Sequence, residues 1–519
     1  MTDNLTMGHV VRRSAKQYPN RTAIIYEGKT YTYSQYNERV NRAANALTEL
    51  GIDFGDHIAI LGKNSIEYLE LCHASAKIGA VFGTVNWRLA PKEISFIVTD
   101  GDSKVLAVEA SLQEVVRPAL ADLPDITIVV YDGEPTLPGA LSYEDLAQKA
   151  PTAEPTAEVG SSDDALIMYT SGTTGLPKGA VLTHGNVCWD AISYLTYAAP
   201  RPYDALLVGM PMNHVSGLHM QTSAFLIRGL PLVIMRQWDA EEACQLIQKH
   251  RVTAATILVT PLQQLLAFEG MDDYDLTSLQ LVLTAAAKYT RDLSIQTMHR
   301  LQVDRLLFGY GLTEAAPLAS VTEFSGEMLA NENTLGFPVW YNDVLIVDEF
   351  DNPVPEGEAG ELVIRGPNVF KGYYKRPEVN EQVLRGGWLH TGDLACFRGN
   401  SLYFVDRKKD MIKSGGMNVY SLEVEMALMA ANPELTGVSV IGVPDEKWGE
   451  AVVAFVVASA DSPTSAEEII AKTRSHIAGF KLPKRIHFID ELPTNVSGKV
   501  RKTVLRDWAT DGKFAEAMS

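Results

Sequence analysis

The chain has 519 residues, 46% hydrophobic and 21% charged, the balance of a globular protein with enough apolar side chains for two or more cores. Its formal net charge of −19 argues against non-specific nucleic-acid binding, which needs basic surface to displace counterions, so a phosphate ligand must be met by local positive groups. Cys72, Cys188, Cys244 and Cys396 stand far apart with no Cys-x-x-Cys pair, which points to reduced thiols and not to a zinc site or a disulfide framework.

Met1-Thr2-Asp3-Asn4-Leu5 has neither a basic start nor an apolar signal core, and no run approaches the roughly 18 apolar residues of a membrane helix. Ala517-Met518-Ser519 is not a peroxisomal signal. The expected location is the cytoplasm, with no integral membrane segment. A homodimer is compatible with the sequence.

From the N-terminus, Thr32 to Gln35 has capping-box form, and Tyr36, Val40, Ala43 and Leu47 recur at helical spacing until Gly51. Strands are expected at 58–61, 105–108 and 127–130, with a helix through Tyr68, Cys72 and Ala76. Short apolar strands separated by helices imply a buried, largely parallel sheet. Nothing titratable clusters with His57 or His73, which read as structural.

After a Pro/Thr/Ala/Glu connector, 151–164, the chain reaches Thr170-Ser171-Gly172-Thr173-Thr174-Gly175-Leu176-Pro177-Lys178-Gly179. Glycines, hydroxyls and one lysine at the end of an apolar strand make a cradle for a polyphosphate. The spacing is not that of an ordinary P-loop, because Pro177 precedes the lysine and Gly179 follows it. Asn186 is expected to cap the next helix. A strand at 206–210 then opens into Pro211 to Gly217, which carries His214 at the sheet end where ligands sit in α/β folds.

Further strands are expected at 231–235, 255–259 and 279–283. In Leu306 to Glu314 a strand opens into Gly309-Tyr310-Gly311, where glycines admit a planar group and Tyr310 offers a stacking face, and Thr313-Glu314 follow. One carboxylate beside a nucleotide suffices for Mg²⁺, which takes most of its ligands from phosphates and water. From 333 the pattern becomes short strands with turn chemistry, and Asp393 falls at a Gly-bounded turn where a carboxylate can accept both ribose hydroxyl protons. The charged run 406–413, followed by Gly415-Gly416, suits a hinge. A last α+β unit carries a helix near 421–430, strands at 438–441 and 451–457, and a helix capped by Thr464 and Glu467. Lys499 follows on a Pro/Gly-bounded loop.

The cradle, Tyr310 to Glu314, Trp388 to Asp393, Arg407 to Gly416 and Lys499 together resemble, in order and approximate spacing, the adenylate-forming superfamily of acyl-CoA synthetases, peptide-synthetase adenylation domains and luciferases. The closest resemblance is to AMP-forming fatty-acid or aryl-acid CoA ligases. It implies an α/β fold: a large N-terminal domain, 1–408, of two doubly wound lobes plus a small β-barrel over about 333–405, then a mobile, smaller α+β C-terminal domain, 409–519, carrying Lys499. It also implies ATP held by Thr170, Ser171, Gly172, Thr173, Thr174, Gly175, Lys178, Tyr310, Gly311, Thr313, Asp393, Arg407 and Lys499, and Mg²⁺ on Glu314. CoA would pass Gly415 and Gly416, and Lys409 would be the hinge.

Lys499, Thr313, Glu314 and His214 would be the catalytic set, and the acid would lie among His214, Gly217, Ala285, Ala286, Ala287, Gly309 and Ala315. Thr284-Ala285-Ala286-Ala287-Lys288 departs from the glycine-rich turn of many relatives, so the acid pocket should differ in shape. The reaction implied is adenylation of an apolar monocarboxylic acid, medium-chain or aromatic, with release of pyrophosphate, then transfer to a thiol. The chain ends about 20 residues after Lys499 without a carrier domain, so free CoA is the expected acceptor. The competing readings are a stand-alone adenylation enzyme that loads a separate carrier protein and a non-catalytic nucleotide sensor.

Overall fold

The computed structural model describes residues 4–170, 177–285, 290–324, 334–459, 464–494 and 500–510. The fold is mixed α/β and divides into two compact units, Met1–Val344 with Ile364–Leu389, and Leu345–Val363 with His390–Ser519.

The first unit is built on two sheets. In one, the strands run in the order Gly372–Tyr373, Lys178–Thr183, Asp164–Thr170, Val81–Val85, His57–Leu61, Ser103–Glu109, Thr127–Tyr131 and Leu141–Ser142. Pairing is parallel from Asp164–Thr170 onward, and His57–Leu61 and Val81–Val85 are buried along their whole length, as apolar strands covered on both faces must be. In the other, Arg305–Gly311, Leu281–Ala285, Ala254–Thr256, Leu206–Val208, Leu232–Ile234 and Thr22–Tyr26 are parallel neighbours, with antiparallel strands flanking them.

A buried amide joins the two sheets. Asn64, 3% exposed, donates from Nδ2 to the carbonyls of Met210 and Met235 at 2.9 and 3.0 Å, and its Oδ1 accepts the Met212 N–H at 2.7 Å. Thr84 Oγ1 adds a bond to the Asn213 carbonyl. The loop that carries His214 is thus anchored from the opposite sheet.

Helix boundaries follow their caps. Thr32 and Gln35 form the expected capping box at Tyr33–Glu49. Two expected caps are displaced. Thr183 caps His184–Ala198 and Asn186 is the reciprocal third residue of that box, while Ser465 with Glu468, and not Thr464 with Glu467, caps Ala466–Thr473. In both, neighbouring hydroxyls or acids offer two registers, and the register that buries the apolar face decides. The strand expected at 255–259 is only Ala254–Thr256, because Val259 already begins the helix Val259–Ala267.

Asp343–Val347, Gly360–Arg365, Leu389–Arg398 and Ser401–Arg407 lie side by side in that order. The second unit holds the sheet of Met417–Val419, Ile412–Ser414, Gly449–Ala458 and Leu435–Asp445, with Arg485–Phe488 parallel to Gly449–Ala458. Strand alternation sends Val452, Ala454 and Val456 to a core with Leu428 and Ile469, and Val453 and Phe455 to another with Leu505. All four cysteines are buried and none is in a disulfide. His57 Nδ1 bonds the Gly101 carbonyl, and His73 Nδ1 the Tyr36 hydroxyl, each at 2.7 Å. No helix of the described residues is long and apolar enough to cross a membrane.

Candidate active site

Three segments of the first unit converge on Glu314. Thr170 and Lys178 are directly opposed in the antiparallel pair Asp164–Thr170 and Lys178–Thr183. Ser171, Gly172, Thr173, Thr174 and Gly175 lie outside the described residues. Gly372–Tyr373 pairs with the far side of the second strand, Tyr373 opposite Ala180, which brings the Tyr373 ring beneath the Lys178 ammonium, 5.5 Å from Nζ to centroid. The Tyr373 hydroxyl donates to Glu314 Oε1 at 2.5 Å, and the Phe370 N–H donates to the Glu314 carbonyl at 2.9 Å. Burial and the Glu314 charge raise the Tyr373 pKa, so the phenol stays a donor.

Tyr373 was not predicted from sequence. It stands 59 positions from Glu314, and only the Gly372–Tyr373 pairing brings the two together. The signal present, an aromatic pair after glycine in Gly372-Tyr373-Tyr374, is too common to select it.

Tyr310 and Gly311 end the strand Arg305–Gly311, and Thr313 to Ala315 form one turn of 3₁₀-helix. A Cβ on Gly311 would stand 1.8 Å from the Pro317 carbonyl oxygen, so the close return of the chain there requires glycine. Ala285 and Gly309 are Cα partners on adjacent parallel strands, and Gly309 and Ala315 are buried. The loop after Leu206–Val208 opens at the same carboxyl edge of this sheet, which is where ligands bind in such folds.

In that loop Gly217 is pressed so close to the preceding strand end that a Cβ would meet the Pro211 carbonyl oxygen at 2.2 Å. The His214 side chain is solvent-accessible, yet protein surrounds it closely enough that desolvation, followed by the Arg88 charge, lowers its pKa. A lowered imidazole pKa keeps the ring neutral at physiological pH. Ala286 and Ala287 lie outside the described residues.

In the second unit Asp393 and Arg407 face each other across paired strands, with Arg407 Nε 3.5 Å from Asp393 Oδ1. Asp393 lies within the strand Leu389–Arg398 and not at the expected turn, because its pairing with Ser401–Arg407 continues through it, and Glu361, also not predicted, braces that strand. It accepts from Lys408 Nζ at 2.8 Å and from the Gly392 N–H at 3.2 Å, and His390 Nδ1 stands 3.3 Å away. Burial raises the Glu361 pKa, but Lys408 outweighs it and the net direction is down.

Gly415 and Gly416, at φ +59° and +77°, make the two-residue turn between Ile412–Ser414 and Met417–Val419, a conformation that favours glycine at both positions. The Gly415 N–H donates to the Trp448 carbonyl at 2.7 Å. Lys409 sits in the turn after Ser401–Arg407, where its carbonyl accepts from Arg506. Lys499 lies outside the described residues.

The first unit brings Lys178 to Tyr373 and Glu314, and the second, by itself, sets Asp393 opposite Arg407. Comparison with known proteins identifies the family. The AMP-binding enzyme family model matches residues 11–374 and its C-terminal domain model residues 423–499. A feruloyl-CoA synthase of Amycolatopsis sp is 36% identical over 510 residues, covering 97% of this chain and 99% of that protein. A long-chain-fatty-acid–CoA ligase of Mycobacterium tuberculosis is 36% identical over 512 residues, covering 96% and 98%. The ATP-bound MatB of Rhodopseudomonas palustris superposes with a TM-score of 0.88 at 27% identity, covering 98% and 99%. The chain belongs to the AMP-binding enzyme family, within its acid–thiol ligases, the acyl- and aryl-CoA synthetases.

Proposed function

We propose that the protein activates a mostly apolar monocarboxylic acid, a medium-chain fatty or an aromatic acid, as its adenylate and transfers the acyl group to free CoA in the cytoplasm. The carboxylate is already ionised at neutral pH, so the reaction needs no general base, only the approach of one anion to another. Lys178 and the loop from Thr170 would hold the β- and γ-phosphates, Tyr310 would stack on adenine, Thr313 would contact the α-phosphate, and Asp393 with Arg407 would hold the ribose. Lys499 would neutralise the α-phosphate as the carboxylate attacks in line and pyrophosphate leaves.

The residues present fit Mg²⁺. No group of three or more His, Cys, Asp or Glu forms a metal cage among the described residues, and Glu314 is one carboxylate oriented by Tyr373, the modest protein share that Mg²⁺ accepts beside phosphates. When bound, Mg²⁺ offsets phosphate charge. A turn of the C-terminal domain, 409–519, about Lys409 would then present Gly415 and Gly416 to the pantetheine thiol, which displaces AMP from the acyl-adenylate.

The observation that carries this reading is the meeting of Lys178, Tyr373 and Glu314, together with membership of the family. The acid preference rests on Gly217, Ala285, Gly309 and Ala315 themselves, which are small and uncharged. The test is pyrophosphate release over a panel of medium-chain, aromatic, dicarboxylic and amino acids, with free-thiol consumption followed in the presence of CoA. A maximum in kcat/KM among the apolar acids with stoichiometric thiol loss is expected. Pyrophosphate release without thiol loss would shift the acceptor to a carrier protein, and ATP binding without any acid-dependent release would leave a nucleotide sensor.

A further inference from the structure

Resting on the assignment of Glu314 to Mg²⁺, we propose that Asp190 and Asn368 are positioning residues for the metal: from the buried side of the segment 311–318 they hold its backbone, and so fix where Glu314 presents its carboxylate. Asp190 is fully buried on the helix His184–Ala198. Its Oδ1 accepts the Leu318 N–H at 2.9 Å, and Oδ2 has no partner among the described residues. Asn368, 1% exposed, donates from Nδ2 to the carbonyls of Ala315 and Leu318 at 2.7 and 2.8 Å. Leu318 is thus held at its N–H by one side chain and at its carbonyl by the other, and the residue that follows Glu314 is held at its carbonyl.

The segment has little regular structure of its own. Thr313–Ala315 is one turn of 3₁₀-helix, and Ala316 beyond it stands at φ +58°, in the left-handed region that a side chain with a Cβ disfavours. Such a conformation persists where its surroundings fix it. A carboxyl removed from water is costly, and the apolar face of a helix needs none, yet among the described residues the Asp190 side chain bonds Leu318 alone.

The same helix also sets the neighbours of Glu314. Asn186 lies one helical turn before Asp190, on the same face. Its Oδ1 accepts the N–H of Thr183, the last residue of the strand that begins at Lys178, and its Nδ2 donates to the Pro367 and Val369 carbonyls at 2.8 Å each. Asn368 stands between those two carbonyls, and the Phe370 N–H donates to the Glu314 carbonyl just after them. Within the first unit, one helix therefore relates the Lys178 strand, the segment 367–370 and the segment that bears Glu314.

The experiment measures the Kd of ATP by calorimetry, without acid and with or without Mg²⁺, for the native protein and for Asp190→Ala, Asp190→Asn, Asn368→Ala and Glu314→Gln, with thermal melts reporting that each folds. Mg²⁺ should tighten ATP in the native protein. Asp190→Ala and Asn368→Ala should each weaken that tightening by about tenfold, the scale of partners that stand behind metal ligands, and leave the Kd of ATP alone near its native value. Asp190→Asn keeps an oxygen for the Leu318 N–H in a side chain of the same shape, and burial raises the Asp190 pKa toward the neutral acid that an amide imitates, so it should restore most of the tightening. A role in stability alone would lower the melting temperature and leave the Mg²⁺ effect intact. That result in the folded alanine variants, or an Asp190→Asn no better than Asp190→Ala, overturns the proposal, and Asn368→Ala decides it if Asp190→Ala does not fold. If Glu314→Gln leaves the Mg²⁺ effect intact, or the native protein shows none, it is the metal assignment that fails, and the positioning role with it.

Discussion

Tyr373 donates to Glu314 across 2.5 Å while its ring lies 5.5 Å from the ammonium of Lys178, so one side chain touches both the carboxylate proposed for the metal and the lysine proposed for the phosphates. A donor on one carboxylate oxygen fixes the orientation of the other, as partners behind metal ligands commonly do.

Tyr373→Phe keeps the ring and removes only the donor. The loss of one hydrogen bond to a charged group is worth about 1.5 to 3 kcal/mol, so the Mg²⁺ concentration for half-maximal pyrophosphate release should rise about tenfold or more. The KM for the acid should stay near its native value. A Mg²⁺ titration that superposes on the native curve would remove Glu314 from the metal site.

Lys499→Ala should abolish acid-dependent pyrophosphate exchange, by about 100-fold or more for one preorganised charge, and leave thioester formation from supplied acyl-adenylate largely intact. Equal loss in both half-reactions would show that the lysine does not act in adenylation alone.

Lys409→Pro tests the pivot. Proline fixes φ where a rotating domain must change it, so adenylation should be spared and thioester formation slowed. In the arrangement described, Arg506 bonds both the Lys409 carbonyl and the Asp410 carboxylate, at 3.3 and 2.8 Å, and a turn at this point must break or carry those bonds. Uniform slowing of the two half-reactions, or none, would place the hinge elsewhere.

The connector 151–164 is a stability element. Lys77, with a fully buried side chain, donates to Asn37 and Asn41 at 2.7 Å each and to Glu154 at 2.6 Å, and Arg12 adds a second ion pair to Glu154. Burial raises the Glu154 pKa, but Arg12 and Lys77 outweigh it and bring it from 4.5 down to about 2. The folded value lies below the unfolded one, so this stabilisation is present above pH 4.5 and is lost as pH falls toward 2. Lys77, which burial pushes from 10.5 down to about 8, carries its charge at a cost below pH 8, and that cost is relieved as pH rises from about 8 to 10.5, so stability rises there as well.

Glu154→Gln leaves a buried ammonium without its counter-charge and should cost about 2 kcal/mol near pH 7, less than a fully buried pair because Glu154 keeps 32% of its side-chain surface. It should also flatten the acid limb. Urea midpoints across pH 2 to 8 measure both, and parallel native and variant curves would contradict the assignment.

Local chemistry was legible in the sequence wherever neighbours along the chain determine it. The Thr32–Gln35 box and the parallel apolar strands each depend on backbone preference or hydrophobic period within a few residues. The order of five motifs was enough for the family and for the reaction class. What only the tertiary structure decided are the contacts between residues remote in sequence. Tyr373 reaches Glu314 through an edge-strand pairing, Asn64 anchors the His214 loop from the other sheet, Glu361 braces the strand at Gly392 and Asp393, and Glu154 neutralises Lys77. None of these partners has a local signature, because a carboxylate, amide or phenol is equally at home on a wet surface, and only the register of strands and the burial it imposes make each one necessary.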